Sequence, residues 1–357
     1  MPRKDIKPAV RLQDIAQEAG VSCATVSYAL CGTRGVSTDT RKRILRIANR
    51  LGYIPNRQAA ALRARRSMIL GFLVTDIKNP FFAEIVCGIE STAAAKGYRL
   101  MLCVTGDDPS DEARHLQMLL EHGVDGLILV PIARSQDGTY PNTSLLRAFQ
   151  RRRTPVISIV DSIKDYPTAR ITTSVYEGTR LVAEHLIALG HRRIAYLSQP
   201  FHRIQKFGRH AAYHDALNHA GIPFDPELMV EAGLTPNDAY EKTGQLLDSG
   251  IRFTAAMYPN DYMAVGGLRM LRERSLRVPD AVSVTGFDDV EWARFCEVPL
   301  TTARFPARAL GEMAVRELTE RLSRHAPPED EAFCQISVSP TLIVRRSTGP
   351  VAGELGV

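Results

Sequence analysis

The sequence contains no long apolar run. None of its stretches approaches the roughly 18 apolar residues that a membrane-spanning helix needs. The N-terminus, Met1-Pro2-Arg3-Lys4-Asp5, is not followed by the apolar segment of a secretory signal. These two absences predict that the protein stays in the cytoplasm.

Cysteine is sparse and shows no pairing motif. The six cysteines lie at positions 23, 31, 87, 103, 296 and 334, and no two of them form a Cys-x-x-Cys pair. Neither a zinc site nor a disulfide framework is therefore indicated. His210 and His214 stand four apart on a predicted helix, but a zinc site needs further ligands, so a surface position is the simpler interpretation. We expect neither a metal nor a cofactor.

The motifs of three common enzyme classes are also missing. The chain has no Gly-x-x-x-x-Gly-Lys-Ser/Thr loop for nucleotide phosphates, no Gly-x-Ser-x-Gly nucleophile motif and no Gly-x-Gly-x-x-Gly dinucleotide motif. Their absence favours a protein that is not an enzyme.

The charge of the chain is distributed unevenly. The first 66 residues, here called the head, contain 14 Lys and Arg against 4 Asp and Glu, a net charge of +10. The remaining residues, here called the body, contain 31 Lys and Arg against 35 Asp and Glu, a net charge of −4. A small basic head on a mildly acidic body predicts a polyanionic partner for the head alone.

The head shows the pattern of three short helices. Apolar residues recur at helical spacing, Gly20 and Gly52 can end the first and third helices, and Ser22 and Ser37 can cap the second and third. The predicted helices are residues 12–19, 23–30 and 38–51. The first two helices and their short turn form a helix-turn-helix, a common DNA-binding motif, although an ordinary helical bundle shows the same pattern.

The body alternates predicted strands and helices. The alternation runs through residues 69–160 and starts again near residue 175. Such alternation implies parallel sheets with helices on both faces, and two sets imply two lobes. Ligands of such sheets bind at the carboxyl ends of the strands, here where the two lobes meet.

Several motifs in the same order resemble those of one known family. In the head they are Leu-Gln-Asp-Ile-Ala-Gln-Glu-Ala-Gly-Val-Ser-Cys-Ala-Thr-Val-Ser at residues 12–27, Val-Ser-Thr-Asp-Thr-Arg at 36–41 and Leu-Gly-Tyr-Ile-Pro-Asn at 51–56. In the body they are Asn79-Pro80-Phe81-Phe82, Leu189-Gly190-His191-Arg192-Arg193, Asn260-Asp261-Tyr262-Met263-Ala264, Gly286-Phe287-Asp288-Asp289 and Pro299-Leu300-Thr301-Thr302. Over about residues 10–348 the chain resembles the lactose/galactose repressor (LacI/GalR) family of transcriptional regulators.

The resemblance implies a fold and its boundaries. The fold is an all-α helix-turn-helix head followed by an α/β two-lobed body of the periplasmic-binding-protein type with parallel sheets. The implied segments are a DNA-binding domain at 1–54, a hinge at 55–67, an effector-binding and dimerisation domain at 68–348 and a tail at 349–357. The first lobe would hold about 68–168 and 302–330, and the second about 169–298 and 331–347.

The resemblance also places the second head helix in the major groove, where side chains read base edges. It implies base contacts for Cys23, Ala24 and Tyr28. Many members have arginine in place of Tyr28, and tyrosine cannot make the two-pronged contact of arginine, so we expect a different operator sequence. The other implied DNA contacts, mostly to phosphates, are Ser22, Thr25, Ser27, Ser37, Thr40, Arg41, Tyr53, Asn56 and Arg57.

Residues 56–66 resemble the family hinge, which becomes helical on DNA. Leu62 stands at the position of a leucine that wedges into the minor groove and kinks the duplex, and Ala59 is small enough for two hinge helices to pack together. A flexible basic linker is the alternative interpretation.

Eight body residues match positions that bind effectors in the family. They are Phe81, Phe82, Asp161, Arg203, Arg209, Leu234, Asn260 and Asp288. Each has a structural alternative: Arg209 could cap a helix, Asp288 could form a turn with Asp289, and the two phenylalanines could belong to the core. Val130 and Val160 replace polar residues of many sugar-binding members, and Asp161 could substitute for the latter.

Together these features predict a homodimeric repressor. We expect it to bind a pseudo-palindromic DNA operator under the control of a small polar effector such as a sugar. A transcriptional activator of the same fold, and a ligand-binding or enzymatic α/β protein with a vestigial head, are the alternatives.

Overall fold

The computed structural model describes residues 10–31, 35–53, 66–106, 108–132, 139–160, 163, 166, 169–198, 208–324 and 335–351. The chain divides into two compact units, Met1–Ser67 and Met68–Val357, which are described separately below. Within the described residues, no helix is both long and apolar enough to cross a membrane.

The head contains the three predicted helices. They are α1 (Leu12–Ala19), α2 (Cys23–Cys31) and α3 (Thr38–Leu51). Gly20 and Gly52 end α1 and α3 in the left-handed conformation, at φ of 61° and 69°, which glycine adopts without a steric penalty. The hydroxyl of Ser22 accepts the backbone N–H of Thr25, and Ser37 caps α3 in the same way. The helix ends are therefore those that the caps predict.

One apolar cluster joins the three head helices. Its fully buried members are Ile15, Ala16, Ala19, Val26, Ala29, Ile44 and Ala48. Burying each larger side chain among them stabilises the head by about 2 kcal/mol. All the buried residues of α2 lie on one side of that helix, so its other side is left for solvent or for a partner.

The body contains two six-stranded sheets. The first is built from β1 (Ile69–Val74), β2 (Arg99–Val104), β3 (Gly126–Leu129), β4 (Val156–Val160), β5 (Ala169–Thr173) and β11 (Gln335–Val338). The second is built from β6 (Ile194–Ser198), β7 (Met229–Glu231), β8 (Ala255–Met257), β9 (Ser283–Asp288), β10 (Thr301–Arg304) and β12 (Thr341–Ile343). The strand orders are β11-β5-β4-β3-β1-β2 and β12-β10-β9-β8-β6-β7. All neighbouring strands are parallel except β10 and β12.

Helices cover both sheets. The first lobe, formed around the first sheet, includes α4 (Pro80–Ala95), α5 (Pro109–His122), α6 (Thr143–Arg151) and α12 (Ala307–Arg324). The second lobe, formed around the second sheet, includes α7 (Val175–Ala188), α8 (Arg209–His219), α9 (Pro236–Asp248), α10 (Asp261–Glu273) and α11 (Trp292–Phe295). The parallel two-lobed architecture expected from the alternation of strands and helices is confirmed.

The crossings between the lobes lie later in the chain than predicted. Strands β5 and β11, which the sequence analysis assigned to the second lobe, pair with each other in the first sheet, and β10 belongs to the second sheet instead of the first. The reason is that strand partners are set by pairing over long sequence separations, here Ile157 with Ala169 and Thr301 with Thr285. A local sequence pattern does not determine which distant strand a given strand pairs with.

Candidate nucleic-acid interface and effector site

Helix α2 exposes the three side chains that the resemblance assigns to base contact. Cys23, Ala24 and Tyr28 are all exposed, with 54% of Tyr28 accessible, whereas Val26 and Ala29 are buried against the other head helices. A helix with one buried side and one exposed side of small and hydrogen-bonding residues is suited to a major groove. This exposed side of α2 is called the reading face below.

Hydroxyl groups cluster at the starts of α2 and α3. The Ser22 and Thr25 hydroxyls lie 2.9 Å apart, and the Ser37 hydroxyl donates to Oγ1 of Thr40 at 2.8 Å. Backbone N–H groups at helix starts attract anions, so phosphates are suitable partners for both ends. Ser27 lies on α2, the helix that Ser22 caps, and is half-buried.

Arg41 links two head helices. Its Nε donates to the carbonyl oxygen of Ala29 at 3.2 Å, which fastens α3 to the end of α2. Tyr53 is half-buried and packs against the head core. Arg41 and Tyr53 therefore both help to fix the geometry of the head, and their DNA contacts stay predictions. Asn56, Arg57, Ala59 and Leu62 lie outside the described residues.

In the body, Asp288 is the centre of the candidate effector site. It ends β9, only 8% of it is exposed, and its φ of 103° places it in the left-handed region. Burial and the nearby Asp261 carboxylate raise the pKa of Asp288 well above its ordinary value, while the charge of Arg209 and the side chain of Asn79 oppose that rise. A buried carboxyl with few partners of its own is suited to bind a hydrogen-bond donor.

Arg209, the first residue of α8, lies over the ring of Phe287, the residue before Asp288. Its guanidinium carbon is 3.8 Å from the centroid of the Phe287 ring, a cation–π contact. Among the described residues, Arg209 interacts with an aromatic ring and with a carboxyl group, which does not favour the alternative that it caps a neighbouring helix. The structure thus brings together the two residues on which the predicted site depends.

Asn260 caps the N-terminus of α10. Its Oδ1 accepts the backbone N–H of Met263 at 2.7 Å, and only 7% of the residue is exposed. The next residue, Asp261, is buried and supports the turn after β9: its two carboxylate oxygens accept the N–H of Val290 at 2.9 Å and the hydroxyl of Thr302 at 2.7 Å. Burial raises the pKa of Asp261 to about 7.

The described residues among the remaining effector candidates pack in or against the apolar cores. Phe81 is buried in the body core, and Phe82 packs against that core with its ring 5.4 Å from that of Phe81. Leu234 is half-buried against the core of the second sheet. Asp161 and Arg203 lie outside the described residues. The core interpretation therefore fits Phe81 best.

Two residues near the site were missed by sequence reasoning. Asn79 caps α4, with its Oδ1 accepting the N–H of Phe81 at 3.0 Å, and its side chain acts to lower the pKa of Asp288 in the other lobe. Phe287 supplies the ring under Arg209. Both stand in motifs that the resemblance rests on, and the Asn-Pro pair at a helix start was the available signal for Asn79.

The two histidines considered as metal ligands pack against aromatic rings. The His210 ring is 5.9 Å from that of Tyr196, and the His214 ring is 3.9 Å from that of Phe224. Over the described ranges, no group of three or more His, Cys, Asp or Glu side chains is placed to hold a metal ion.

Comparisons with known proteins agree on one class. Residues 11–56 match the family described as bacterial regulatory proteins, lacI family, and residues 183–348 match the periplasmic binding protein-like domain. The HTH-type transcriptional repressor PurR of Haemophilus influenzae (strain PittEE) is 33% identical over 336 residues, covering 94% of this chain and 98% of the relative. The HTH-type transcriptional regulator DegA of Bacillus subtilis (strain 168) is 31% identical over 340 residues, covering 95% and 98%.

Solved structures show the same architecture. A lac repressor dimer bound to operator and the anti-inducer ONPF matches with a TM-score of 0.82 at 29% identity, covering 96% of this chain and 99% of that chain. The fold, the reading face and the relatives define a DNA-binding transcriptional regulator. The chain belongs to the lacI family of bacterial regulatory proteins.

Proposed function

We propose that the protein is a homodimeric repressor that binds a pseudo-palindromic operator in the cytoplasm and responds to a small polar effector. The observation that carries this proposal is the reading face of α2, exposed on a head whose net charge is +10. Relatives such as PurR of Haemophilus influenzae are named repressors. The proposed role needs no catalytic group.

On this proposal the head residues divide into two sets. Cys23, Ala24 and Tyr28 read bases, because they form the exposed side of α2. The residues of the second set position the head on the DNA, through phosphate contacts or through the hinge. They are Ser22, Thr25, Ser27, Ser37, Thr40, Arg41, Tyr53, Asn56, Arg57, Ala59 and Leu62. The hydroxyl clusters at the two helix starts support Ser22 and Ser37, and the hinge residues rest on the sequence resemblance alone.

Exposed apolar side chains on both lobes support pairing with a second copy of the chain. Leu102 and Val104 are 39% and 42% exposed on β2, the edge strand of the first sheet, and Trp292 and Phe295 are 51% and 77% exposed on α11. Large exposed apolar groups in two places are typical of protein interfaces. The lac repressor that this chain resembles is a dimer on its operator.

The effector is proposed to bind where the lobes meet, between Arg209 and Asp288. A guanidinium and a carboxyl group side by side match a ligand with several hydroxyls. A lacI-family regulator from Enterococcus faecium, 26% identical with a TM-score of 0.69, has ribose bound. We propose weaker effector roles for Asn260, Phe82 and Leu234. A helix cap explains the position of Asn260, and core packing explains those of Phe82 and Leu234.

The decisive experiment is selection of bound sequences from random DNA by the full chain, followed by gel shifts on the selected sequence. We expect a two-fold symmetric site whose affinity falls steeply with salt, since phosphate contacts release counterions. Binding without sequence preference would contradict a repressor and favour the vestigial-head alternative.

The effector site is tested by adding ribose to the complex of the chain with its selected operator. A change in operator affinity in wild type, but not in Arg209→Ala, would support the site. The exposed Arg192→Ala is the control.

A further inference from the structure

The ring of Phe287 lies under the guanidinium of Arg209. The guanidinium carbon stands over this ring, 3.8 Å from its centroid. Phe287 belongs to β9 and directly precedes Asp288, while Arg209 is the first residue of α8. The negative face of an aromatic ring attracts a cation, and the attraction is stronger where water is excluded, as it is around the buried Phe287. The contact therefore ties the start of α8 to the end of β9.

The Phe287 ring is fixed by its other neighbours. The ring of Phe305 packs against it with the two centroids 4.9 Å apart, and both rings belong to one buried apolar cluster of the body. Gly178 on α7 lies close to it as well, because a Cβ at this position would stand 2.8 Å from Cε2 and from Cζ of Phe287. Glycine weakens a helix, so room for the ring accounts for its presence in α7. The guanidinium thus rests on a ring that has little room to move.

Arg209 stands at a position that is unfavourable for a cation. α8 begins at Arg209, and the first turn of a helix carries a partial positive charge from its free backbone N–H groups. The preceding residue, Gly208, provides no side-chain cap. A long, half-buried side chain also loses conformational freedom when it is held in one place. The attraction of the Phe287 ring opposes both costs before any ligand binds.

Stacking leaves the hydrogen-bonding edges of the guanidinium for other partners. The N–H donors of Arg209 lie in the plane of the guanidinium, whereas the Phe287 ring contacts its flat face. A carboxylate in the place of the ring would occupy some of those donors. A guanidinium on an aromatic ring is therefore held in position and can still donate to the oxygen atoms of a ligand.

We propose that Phe287 is a positioning residue for the effector, whose ring holds the Arg209 guanidinium where it binds the ligand. The role of Arg209 rests on the proposed function, whereas the stacking contact does not. Phe287 acts through Arg209 and not by touching the ligand. An aliphatic side chain in place of the ring should therefore weaken effector binding although the guanidinium is still present.

A double-mutant cycle in denaturant unfolding of the full chain tests the stacking contact without any ligand. Phe287→Leu keeps an apolar side chain but removes the aromatic face, and Arg209→Gln keeps a polar side chain but removes the charge. Phe287→Leu should raise the unfolding equilibrium constant by a factor that is at least about three times larger in wild type than in Arg209→Gln. A merely structural role of the ring predicts equal factors, because apolar packing does not depend on the charge.

Phe305 offers the matched control. Its ring packs in the same buried cluster, so Phe305→Leu removes similar packing but keeps the aromatic face under the guanidinium. Phe305→Leu should raise the unfolding equilibrium constant by the same factor, within about 1.5-fold, in wild type and in Arg209→Gln. If Phe287→Leu fails to fold, Phe287→Met, with its more adaptable side chain, takes its place in the cycle.

Calorimetric titration with ribose tests the positioning role. Phe287→Leu should weaken ribose binding about fivefold or more, because a guanidinium that is free to move must be ordered when the ligand binds. Phe305→Leu should bind ribose within about twofold of wild type.

Each part of the proposal has a result that overturns it. Equal coupling to Arg209→Gln for Phe287→Leu and Phe305→Leu overturns the stacking contact. A clear excess for Phe287→Leu, combined with ribose binding as tight as in wild type, overturns the positioning role. If wild type does not bind ribose, or Arg209→Gln binds it as tightly as wild type, the proposed effector site fails together with the positioning role, and the cycle alone then decides on the stacking contact.

Discussion

Arg345, two residues beyond the last strand, donates a hydrogen bond to the carboxylate of Asp289, the residue next to the centre of the candidate effector site. Asp289 has a φ of 57°, its side chain is 1% exposed, and it also accepts from Nε of Arg304 at 2.6 Å. Two consecutive non-glycine residues with positive φ are uncommon and cost energy. The buried carboxylate and its arginines therefore hold a strained turn in place, and that turn presents Asp288.

Arg345→Ala is expected to destabilise the body by about 2 kcal/mol, because it removes one charged hydrogen bond from a buried carboxylate that keeps Arg304 as a partner. The guanidinium also donates to the Leu300 carbonyl at 2.7 Å, so that contact is lost as well. Denaturant unfolding of the full chain measures the loss. The neighbouring Arg346 is exposed, and Arg346→Ala should change the unfolding free energy by less than about 0.5 kcal/mol. Equal effects of the two variants would contradict the role of Arg345.

Tyr28→Ala is expected to relax base preference at one symmetric pair of operator positions, at about 1–3 kcal/mol per site, because the reading face would lose its largest exposed side chain. Tyr28→Phe separates the ring from the hydroxyl: preference retained by Phe points to stacking or apolar contact, and preference lost points to a hydrogen bond. Selection from random DNA with each variant gives the answer. If the sequences selected by Tyr28→Ala match those of wild type, Tyr28 does not read a base.

Features set by neighbouring residues could be predicted from the sequence. The ends of α1 and α3 follow from Gly20 and Gly52, and the start of α3 follows from the Ser37 cap. Caps and left-handed glycines act within a few residues, so the local sequence contains all the information needed. The assignment of β5 and β11 to the first sheet could not be predicted in this way, because it depends on pairing between distant segments.

The candidate site shows the same division. Asp288 and Arg209 were predicted from family motifs, and Arg209 lies over the ring of Phe287, next to Asp288. The effect of Asn79 on the pKa of Asp288 could not be predicted, since it requires the start of α4 in one lobe to lie near the end of β9 in the other. The position of Phe81 in the core was one of two open interpretations, and burial decides between them. The base contacts of the head stay predictions.

Gly88→Ala tests a close approach of two helices in the first lobe. A Cβ at Gly88 on α4 would lie 2.1 Å from the carbonyl oxygen of Arg308 on α12, and one at Gly311 on α12 would lie 2.3 Å from that of Ile85. We expect Gly88→Ala to destabilise by about 2 kcal/mol, although alanine is the better helix former, because two backbones must move apart. Glu90→Ala, at an exposed position of the same helix, is the control. A Gly88→Ala protein as stable as wild type in denaturant unfolding would rule out this close approach.

The stability of the second lobe is expected to fall in mild acid because of His191. This buried side chain bonds the Thr254 hydroxyl through Nδ1 at 2.9 Å and the Gly349 carbonyl through Nε2 at 3.1 Å, and burial lowers its pKa. The unfolded chain takes up the proton near pH 6.5 and the folded chain only at lower pH, so the contribution of His191 is complete above about pH 6.5 and declines as the pH falls through that value. A proton bound only by the unfolded chain makes the unfolding free energy fall by up to about 1.4 kcal/mol per pH unit.

Denaturant unfolding between about pH 7.5 and 5.5 measures the slope of the unfolding free energy against pH. This slope should be smaller in His191→Gln than in wild type. His219 is exposed, and His219→Gln should keep the wild-type slope; an unchanged slope in His191→Gln would mean that other groups cause the acid sensitivity.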